Sequence, residues 1–133
     1  CIRDSHRSKT IMNMNPKDEL GKFGEDFACN YLRQHGYQIL CRNFRCRMGE
    51  IDIIAEKNAV LCFVEVKTRA STRFGKPAEA VTWAKQKKIY RCAEYYMQVR
   101  GIIQNMPVLS FDVIEILKEG TVVKEFHHYP HCF

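Results

Sequence analysis

The stretch from Gly49 to Arg69 constrains this chain most, because it holds two short runs of strand-forming residues with polar residues between them. Successive side chains of a strand point to opposite faces of a sheet, so the apolar residues of each run share one face. Charged side chains occupy the alternate positions, and they are Glu50, Asp52, Glu65 and Lys67. The two runs therefore predict a β-hairpin with a charged face.

A turn at Lys57 and Asn58 sets the expected register of this hairpin. The register pairs Glu56 with Ala59, Asp52 with Phe63 and Glu50 with Glu65. All four charged groups then share one face, where gathered carboxylates repel one another unless a cation lies among them. The pattern favours a metal site, and the alternative is a buried ion pair between the acids and Lys67.

The length of 133 residues is that of one ordinary domain. Residues 1–14 lack periodicity and are expected to be a disordered tail, residues 15–128 a folded domain and residues 129–133 a C-terminal tail. No apolar run approaches the roughly 20 residues that span a bilayer, so we expect no membrane partner. Seven scattered cysteines without zinc-site spacing indicate free thiols in a reducing cytoplasm.

The formal net charge is +6, and its distribution along the chain is uneven. From Arg42 to Arg91 there are twelve Lys or Arg residues against five Asp or Glu residues, so the basic excess surrounds the acidic hairpin. A positive surface around an acidic pocket suits a polyanionic substrate. The alternative is a basic face that is merely solvated.

Two helices should accompany the strands. The first begins after Asn15, where a cap residue precedes proline, and ends at Gly36, with Glu25 at the edge of its apolar stripe. The second is expected from Ala78 to about Val99. Its apolar spacing, extended back by one turn, directs two further side chains toward the sheet, Lys85 and Gln86.

Further strands are expected at Tyr37–Phe44, Val108–Leu117 and Val122–His127. Asp112 lies among apolar residues in one of them, where it either supports the site or is a satisfied structural acid. The C-terminal sequence HHYPHCF holds three histidines and a cysteine, but its proline and mixed spacing favour a packing or surface segment over a metal-binding one.

Asp52, followed on the next strand by Glu65, Val66 and Lys67, resembles the core motif of PD-(D/E)xK nucleases. Longer segments are similar, in order and spacing, to the YraN-like family of bacterial proteins, which is related in fold to archaeal Holliday-junction resolvases. They are GKFGED, GYQIL, NFRCRMGEIDIIA, FVEVKTR, FGKPAEAV and FDVIEI. The resemblance covers about Asp18 to Leu117, and Ile51 stands where the motif usually has proline.

The resemblance implies an α/β, restriction-endonuclease-like fold, with a mixed central β-sheet flanked by α-helices, for residues 15–128. It implies a metal-dependent DNA endonuclease or a Holliday-junction-resolvase-like phosphodiesterase acting in DNA repair or recombination. The alternative function is a non-catalytic DNA-binding module of the same fold in a DNA-processing complex.

Four catalytic residues are implied by position, Asp52, Glu65, Lys67 and Glu25. Asp52, Glu65 and the carbonyl of Val66 would ligate Mg²⁺ or Mn²⁺, hard cations that favour oxygen ligands. Glu50 is a further candidate ligand, because the expected register turns it to the same pocket. Lys67 would orient or deprotonate the attacking water or neutralise charge on the phosphate, and Glu25 would hold a water or a second metal.

The expected nucleic acid is branched or otherwise structure-specific DNA, because neither a recognition helix nor an aromatic stacking array is visible in the sequence. The residues expected to contact DNA are Arg45, Arg47, Arg69, Arg73, Lys76, Lys85 and Gln86. Resolvases cut two strands with symmetric pairs of subunits, so a homodimer is a further expectation.

Overall fold

The computed structural model describes residues 15–70, 81–102 and 106–133. The chain forms, in order, α1 (Pro16–Gln34), β1 (Gln38–Cys46), β2 (Gly49–Lys57), β3 (Val60–Arg69), α2 (Trp83–Val99), β4 (Val108–Glu119) and β5 (Val122–Tyr129). The expected disordered tail at residues 1–14 lies outside the described residues, as do Arg73 and Lys76.

The strands form one five-stranded sheet in the order β1-β2-β3-β4-β5. β3 and β4 run parallel, and the other neighbouring pairs are antiparallel. α1 packs on one face of the sheet, through Ala28, Cys29 and Leu32 against Ile53, Val64 and Ile114. α2 packs on the other face, through Ile89, Cys92 and Tyr96 against Ile54, Phe63 and Val113. The predicted restriction-endonuclease-like sheet flanked by helices is confirmed.

Both helices begin at side-chain caps. The Asn15 side chain accepts a hydrogen bond from the Asp18 amide at 2.9 Å, directly before Pro16, as the sequence predicted. The predicted start of α2, Ala78, lies outside the described residues; within them, Thr82 has extended backbone and its hydroxyl accepts from the Lys85 amide at 3.2 Å. Thr82 therefore caps a helix that starts at Trp83.

The central hairpin turns one residue later than its sequence predicted. Asn58 and Ala59 form the turn with φ angles of 52° and 64°, the left-handed conformation that tight hairpin turns require. Lys57 therefore pairs with Val60, and Glu56 does not oppose Ala59. The strands slide by two residues relative to the predicted register, so each side chain keeps its face but changes its neighbour. Asp52 moves from Phe63 toward Glu65.

The C-terminal segment packs on the sheet, as the sequence favoured. The Cys132 amide donates to the Phe111 carbonyl at 2.7 Å, and the Phe133 ring lies 5.6 Å from the Phe111 ring. Asp112 is fully buried, and its carboxylate accepts from the Ser110 hydroxyl and contacts His128 Nε2 at 2.8 Å. Asp112 is therefore a satisfied structural acid.

Five cysteines in the described residues have free thiols, Cys29, Cys46, Cys62, Cys92 and Cys132. Cys41 is disulfide-bonded, so the expectation of free thiols throughout was wrong at that residue. None of the helices in the described part of the chain is long and apolar enough to cross a bilayer.

Gly24 allows α1 to lie directly against β3. A Cβ atom placed at Gly24 would lie 2.8 Å from the Cβ of Thr68 and closer still to the Thr68 hydroxyl oxygen. Any larger residue must push the two elements apart, because close-packed interiors have no room for an added methyl group. Thr68 follows Lys67, so this contact sets the distance between α1 and the charged end of β3.

Gly24→Ala should lower the melting temperature and destabilise the fold by about 1–3 kcal/mol, the usual cost of overpacking. Gly21→Ala is the matched control, because it lies in the same helix and a Cβ there meets no atom within 4 Å. It should stabilise the helix by up to about 1 kcal/mol. Thermal unfolding measures both, and stabilisation by both substitutions would contradict the close contact.

Candidate active site at a fork in the sheet

The sheet forks between β2 and β3. The two strands pair only from Lys57 and Val60 to Ile53 and Val64. Beyond that point β2 continues along β1 and β3 continues along β4. Asp52 and Glu65 are the first residues past the last pair, so their side chains stand where the strands part.

A side-chain hydrogen bond replaces the missing ladder bond at the fork. The Val66 amide donates to Asp52 Oδ2 at 2.8 Å. A buried backbone amide needs an acceptor, and the carboxylate supplies one where the β2 backbone has moved away. Asp52 is therefore held in a fixed orientation against β3.

The regular alternation of β2 is also broken at Asp52. Ile51 packs with the cluster under α2, whereas Ile53 packs with the cluster under α1. In β1, Asn43 lies between the residues paired with Ile51 and Ile53, and it has a left-handed φ of 54°. The sheet is irregular at this level, which keeps Asp52 within electrostatic reach of residues from both faces.

Glu65 contacts a lysine from α2 and crowds Asp52. Glu65 is only 7% exposed, and Lys85 Nζ lies 3.2 Å from its Oε2 atom. Burial raises the pKa of Asp52 well above its ordinary value, and the charge and hydrogen bond of Glu65 raise it further. When both carboxylates are ionised, the negative charges of Asp52 and Glu65 therefore repel each other at this site.

Two lysines respond to this site in opposite directions. Burial lowers the pKa of Lys67, and the nearby charge of Lys85 lowers it further, against the attraction of Glu65. Burial also acts to lower the pKa of Lys85, but the charge of Glu65, the hydrogen bonds with Lys67 and Glu65 and the charge of Asp52 together outweigh it, so the pKa is raised. Lys85 is therefore the firmly charged lysine of the pair, and Lys67 is the one that gives up its proton more readily.

Glu25 approaches the fork from α1. Asn43 Nδ2 donates to Glu25 Oε1 at 2.9 Å, and Arg42 Nη2 lies 3.9 Å from the same oxygen. The charge of Glu25 is among the causes that raise the pKa of Asp52. The sequence reading overlooked Asn43 and Arg42. An asparagine inside a strand weakly indicates an irregular backbone at that point, because asparagine tolerates the left-handed conformation. That was the one sequence signal that pointed to this part of β1.

Comparison with known proteins assigns the family. The family model described as "Uncharacterised protein family UPF0102" matches residues 24–116. The chain belongs to the UPF0102 (YraN) family. The UPF0102 protein of Caldicellulosiruptor bescii is 49% identical over 107 residues, which are 80% of this chain and 88% of that one. The UPF0102 protein of Clostridium botulinum strain Hall is 48% identical over 99 residues, 74% of this chain and 80% of that protein.

Membership of UPF0102 assigns no reaction, since the family is described as uncharacterised. The four residues expected to be catalytic lie near the fork, whereas Glu50, expected as a further metal ligand, does not join them. Its carboxylate instead lies 2.9 Å from Arg45 Nε, and its side chain is 49% exposed. The broken alternation of β2 separates Glu50 from Asp52, which the sequence had placed on one face.

The expected DNA-contacting residues that the structure describes lie on elements around the fork. Arg45 and Arg47 lie at the β1–β2 turn, and Arg69 ends β3. Lys85 reaches Glu65, whereas the Gln86 side chain turns back and donates to the Val81 carbonyl at 3.0 Å. The structure therefore places Lys85 at the acids, as expected, and engages Gln86 in the first turn of α2.

The fork suits a hard divalent cation in its ligand chemistry. Mg²⁺ is usually held by one or two carboxylates together with waters and substrate phosphates. Asp52 and Glu65 provide two such carboxylates, whose mutual repulsion a cation would relieve. Within residues 15–70, 81–102 and 106–133, no three His, Cys, Asp or Glu side chains converge on one point, so other oxygens, such as those of water, substrate or the Val66 carbonyl, would complete the coordination.

With divalent metals removed by a chelator, the Asp52→Asn variant should gain stability relative to the parent protein as the pH rises above about 4. The pKa of Asp52 is raised on folding, so the stability that its protonated form contributes at low pH is lost as the pH rises through the folded pKa. Asparagine does not titrate, and we expect a gain of at least about 1 kcal/mol at neutral pH.

Denaturant unfolding at several pH values measures this difference. Glu94→Gln, at an exposed position of α2, is the control for removing one carboxylate and should not reproduce the gain. An Asp52→Asn difference that stays constant with pH would show that Asp52 has no raised pKa.

Proposed function

We propose that this UPF0102 protein is a metal-dependent DNA endonuclease that hydrolyses phosphodiester bonds, as Holliday-junction resolvases do. One observation carries the proposal. Asp52 and Glu65 meet at the fork of the sheet with Lys67 beside them, and burial, together with the charge of Glu65, raises the pKa of Asp52. Perturbed carboxylates beside a lysine are typical of catalytic sites.

The chain's own residues supply most of the chemistry. Asp52 and Glu65 would hold Mg²⁺ or Mn²⁺, which when bound lends positive charge to a phosphate and acidifies water. The Val66 amide keeps Asp52 in place, and Lys85 keeps Glu65 in place. Lys67, with its lowered pKa, is the residue suited to accept a proton from the attacking water as the water oxygen bonds to phosphorus. The bond from phosphorus to the leaving sugar oxygen breaks in the same displacement, and that oxygen takes a proton from solvent.

The basic surroundings of the fork support a DNA substrate. Arg45, Arg47 and Arg69 lie on elements that border the two acids, where they can hold phosphates on either side of the cut. We propose branched or structure-specific DNA as the substrate, in repair or recombination in the cytoplasm. A homodimer would place two such sites for paired cuts.

The protein should cut branched, nicked or linear DNA in the presence of Mg²⁺ or Mn²⁺ and not with a chelator. Asp52→Ala, Glu65→Ala and Lys67→Ala should each slow cleavage by about 100-fold or more, because each removes a charge acting on the transition state. Gel analysis of end-labelled DNA measures the rates. Glu94→Gln and Lys87→Ala are exposed controls on α2 that should leave the rates unchanged.

A second function is favoured by the way the acids are satisfied within the chain. Lys85 lies 3.2 Å from Glu65 and the Val66 amide donates to Asp52, so each acid already has a partner within the chain. This supports a non-catalytic DNA-binding module that works within a DNA-processing complex. Salt-sensitive DNA binding that survives Asp52→Ala and Glu65→Ala, with no cleavage of any substrate, would favour it over the endonuclease.

Mg²⁺ should raise the melting temperature of the metal-free protein if the acids hold a cation. A concentration ten times the dissociation constant stabilises by about 1.4 kcal/mol, which is roughly 3–6 °C for a domain of this size. Asp52→Asn should abolish the rise and Glu94→Gln should preserve it. A melting temperature unaffected by either Mg²⁺ or Mn²⁺ would count against a metal at the fork.

A further inference from the structure

A recess lies at the β1–β2 turn, beside the fork but separate from its acids. It has a volume of about 460 Å³ and is open to solvent. The residues that line it are Arg45, Cys46, Arg47, Met48, Gly49, Glu50 and Lys88. Three of these side chains are cationic and one is acidic, so the recess carries net positive charge.

The positive charge of the recess is only partly neutralised. Glu50 pairs with Arg45 at 2.9 Å, which fixes the guanidinium of Arg45 at the rim. Arg47 and Lys88 are exposed, and neither forms an ion pair with a carboxylate of the described residues. An arginine and a lysine on two sides of an open recess suit one phosphate group, which accepts several charge-assisted hydrogen bonds.

Close packing holds the turn against α2. A Cβ at Gly49 would lie 3.4 Å from the Cβ of Lys88, so the turn backbone touches the helix at this point. Below it, Cys46 Sγ lies 2.9 Å from Cys92 Sγ, and Cys92 Sγ also lies 3.6 Å from the Gly49 carbonyl oxygen. The cations of β1 and its turn and the cation of α2 therefore line one recess.

β2 and α2 each contribute residues both to the acidic site and to the recess. Glu50 and Asp52 are two residues apart on β2, which is about 7 Å of strand. On α2, Lys85 contacts Glu65, and Lys88, three residues later and so a neighbour on the helix surface, lines the recess. Successive phosphates of one DNA strand are separated by a similar distance, so a strand with one phosphate at the acids can place a neighbouring phosphate here.

We infer that this recess binds a backbone phosphate of the DNA strand adjacent to the phosphate that is cut. The inference deepens the proposed function and rests on it for the position of the cut. Arg47 and Lys88 grip the phosphate, and Arg45 is oriented by Glu50. The recess thus sets which phosphate of the bound strand reaches Asp52 and Glu65.

Binding measurements in chelator test the recess without requiring cleavage. The variant Arg47→Ala/Lys88→Ala should bind DNA about tenfold or more weakly, and the slope of log K against log salt should fall by about one to two. The matched control is Lys87→Ala/Arg91→Ala, which removes the same charge from exposed positions of α2 that do not line the recess. It should change affinity and slope much less.

Equal losses in the two double variants, at unchanged melting temperatures, would overturn the inference, because they would show a diffuse basic surface. A rise in melting temperature with inorganic phosphate as large as the rise with DNA, lost in Arg47→Ala/Lys88→Ala, would also overturn it. That result would assign the recess to a free anion.

On a DNA substrate that the protein cuts, replacing single phosphates by uncharged methylphosphonates shows which phosphate the recess binds. One neutral group next to the cut site should slow cleavage about tenfold for the parent protein and have no further effect on Arg47→Ala/Lys88→Ala. An equal slowing of both proteins would contradict the inference. Absence of cleavage by the parent protein would instead contradict the proposed function, while the binding comparison still decides whether the recess holds phosphate.

Discussion

The separation of β2 from β3 is the constraint on which the candidate site depends. In a regular ladder the Val66 amide would bond to the backbone of β2, and no polar side chain would be needed there. Here the strands part after Ile53 and Val64, and the Asp52 carboxylate takes the amide instead. This one hydrogen bond gives the Val66 amide an acceptor and directs the Asp52 carboxylate into the gap between β2 and β3.

The electrostatics of the fork follow from that geometry. Glu65 is nearly buried beside Asp52, and Lys85 is the cation in contact with it. The arrangement leaves the pKa of Asp52 raised and the pKa of Lys67 lowered. Two acids that repel each other favour the binding of a divalent cation, because the cation neutralises their charge. Asp112, whose carboxylate is already bonded to His128, has no such repulsion to relieve.

The two helices position the groups that surround the fork. The missing side chain at Gly24 lets α1 approach Thr68, which brings Glu25 near β3. On the other face, α2 carries Lys85 at the acids and Lys88 at the recess, with the turn at Gly49 packed against it. Family membership leaves the reaction open, so the chemistry rests on these contacts.

The sequence by itself determined the elements, the acid and lysine positions of the hairpin and the family, because periodicity, capping and motif spacing are local properties. Only the tertiary structure decided which acids meet. The turn at Asn58 and Ala59, one residue later than expected, brought Asp52 toward Glu65. The irregular strands near Asn43 separated Glu50 from that pair. The parting of β2 from β3 and the break in side-chain alternation along β2 arise from packing between distant segments, so no local pattern in the sequence predicts them.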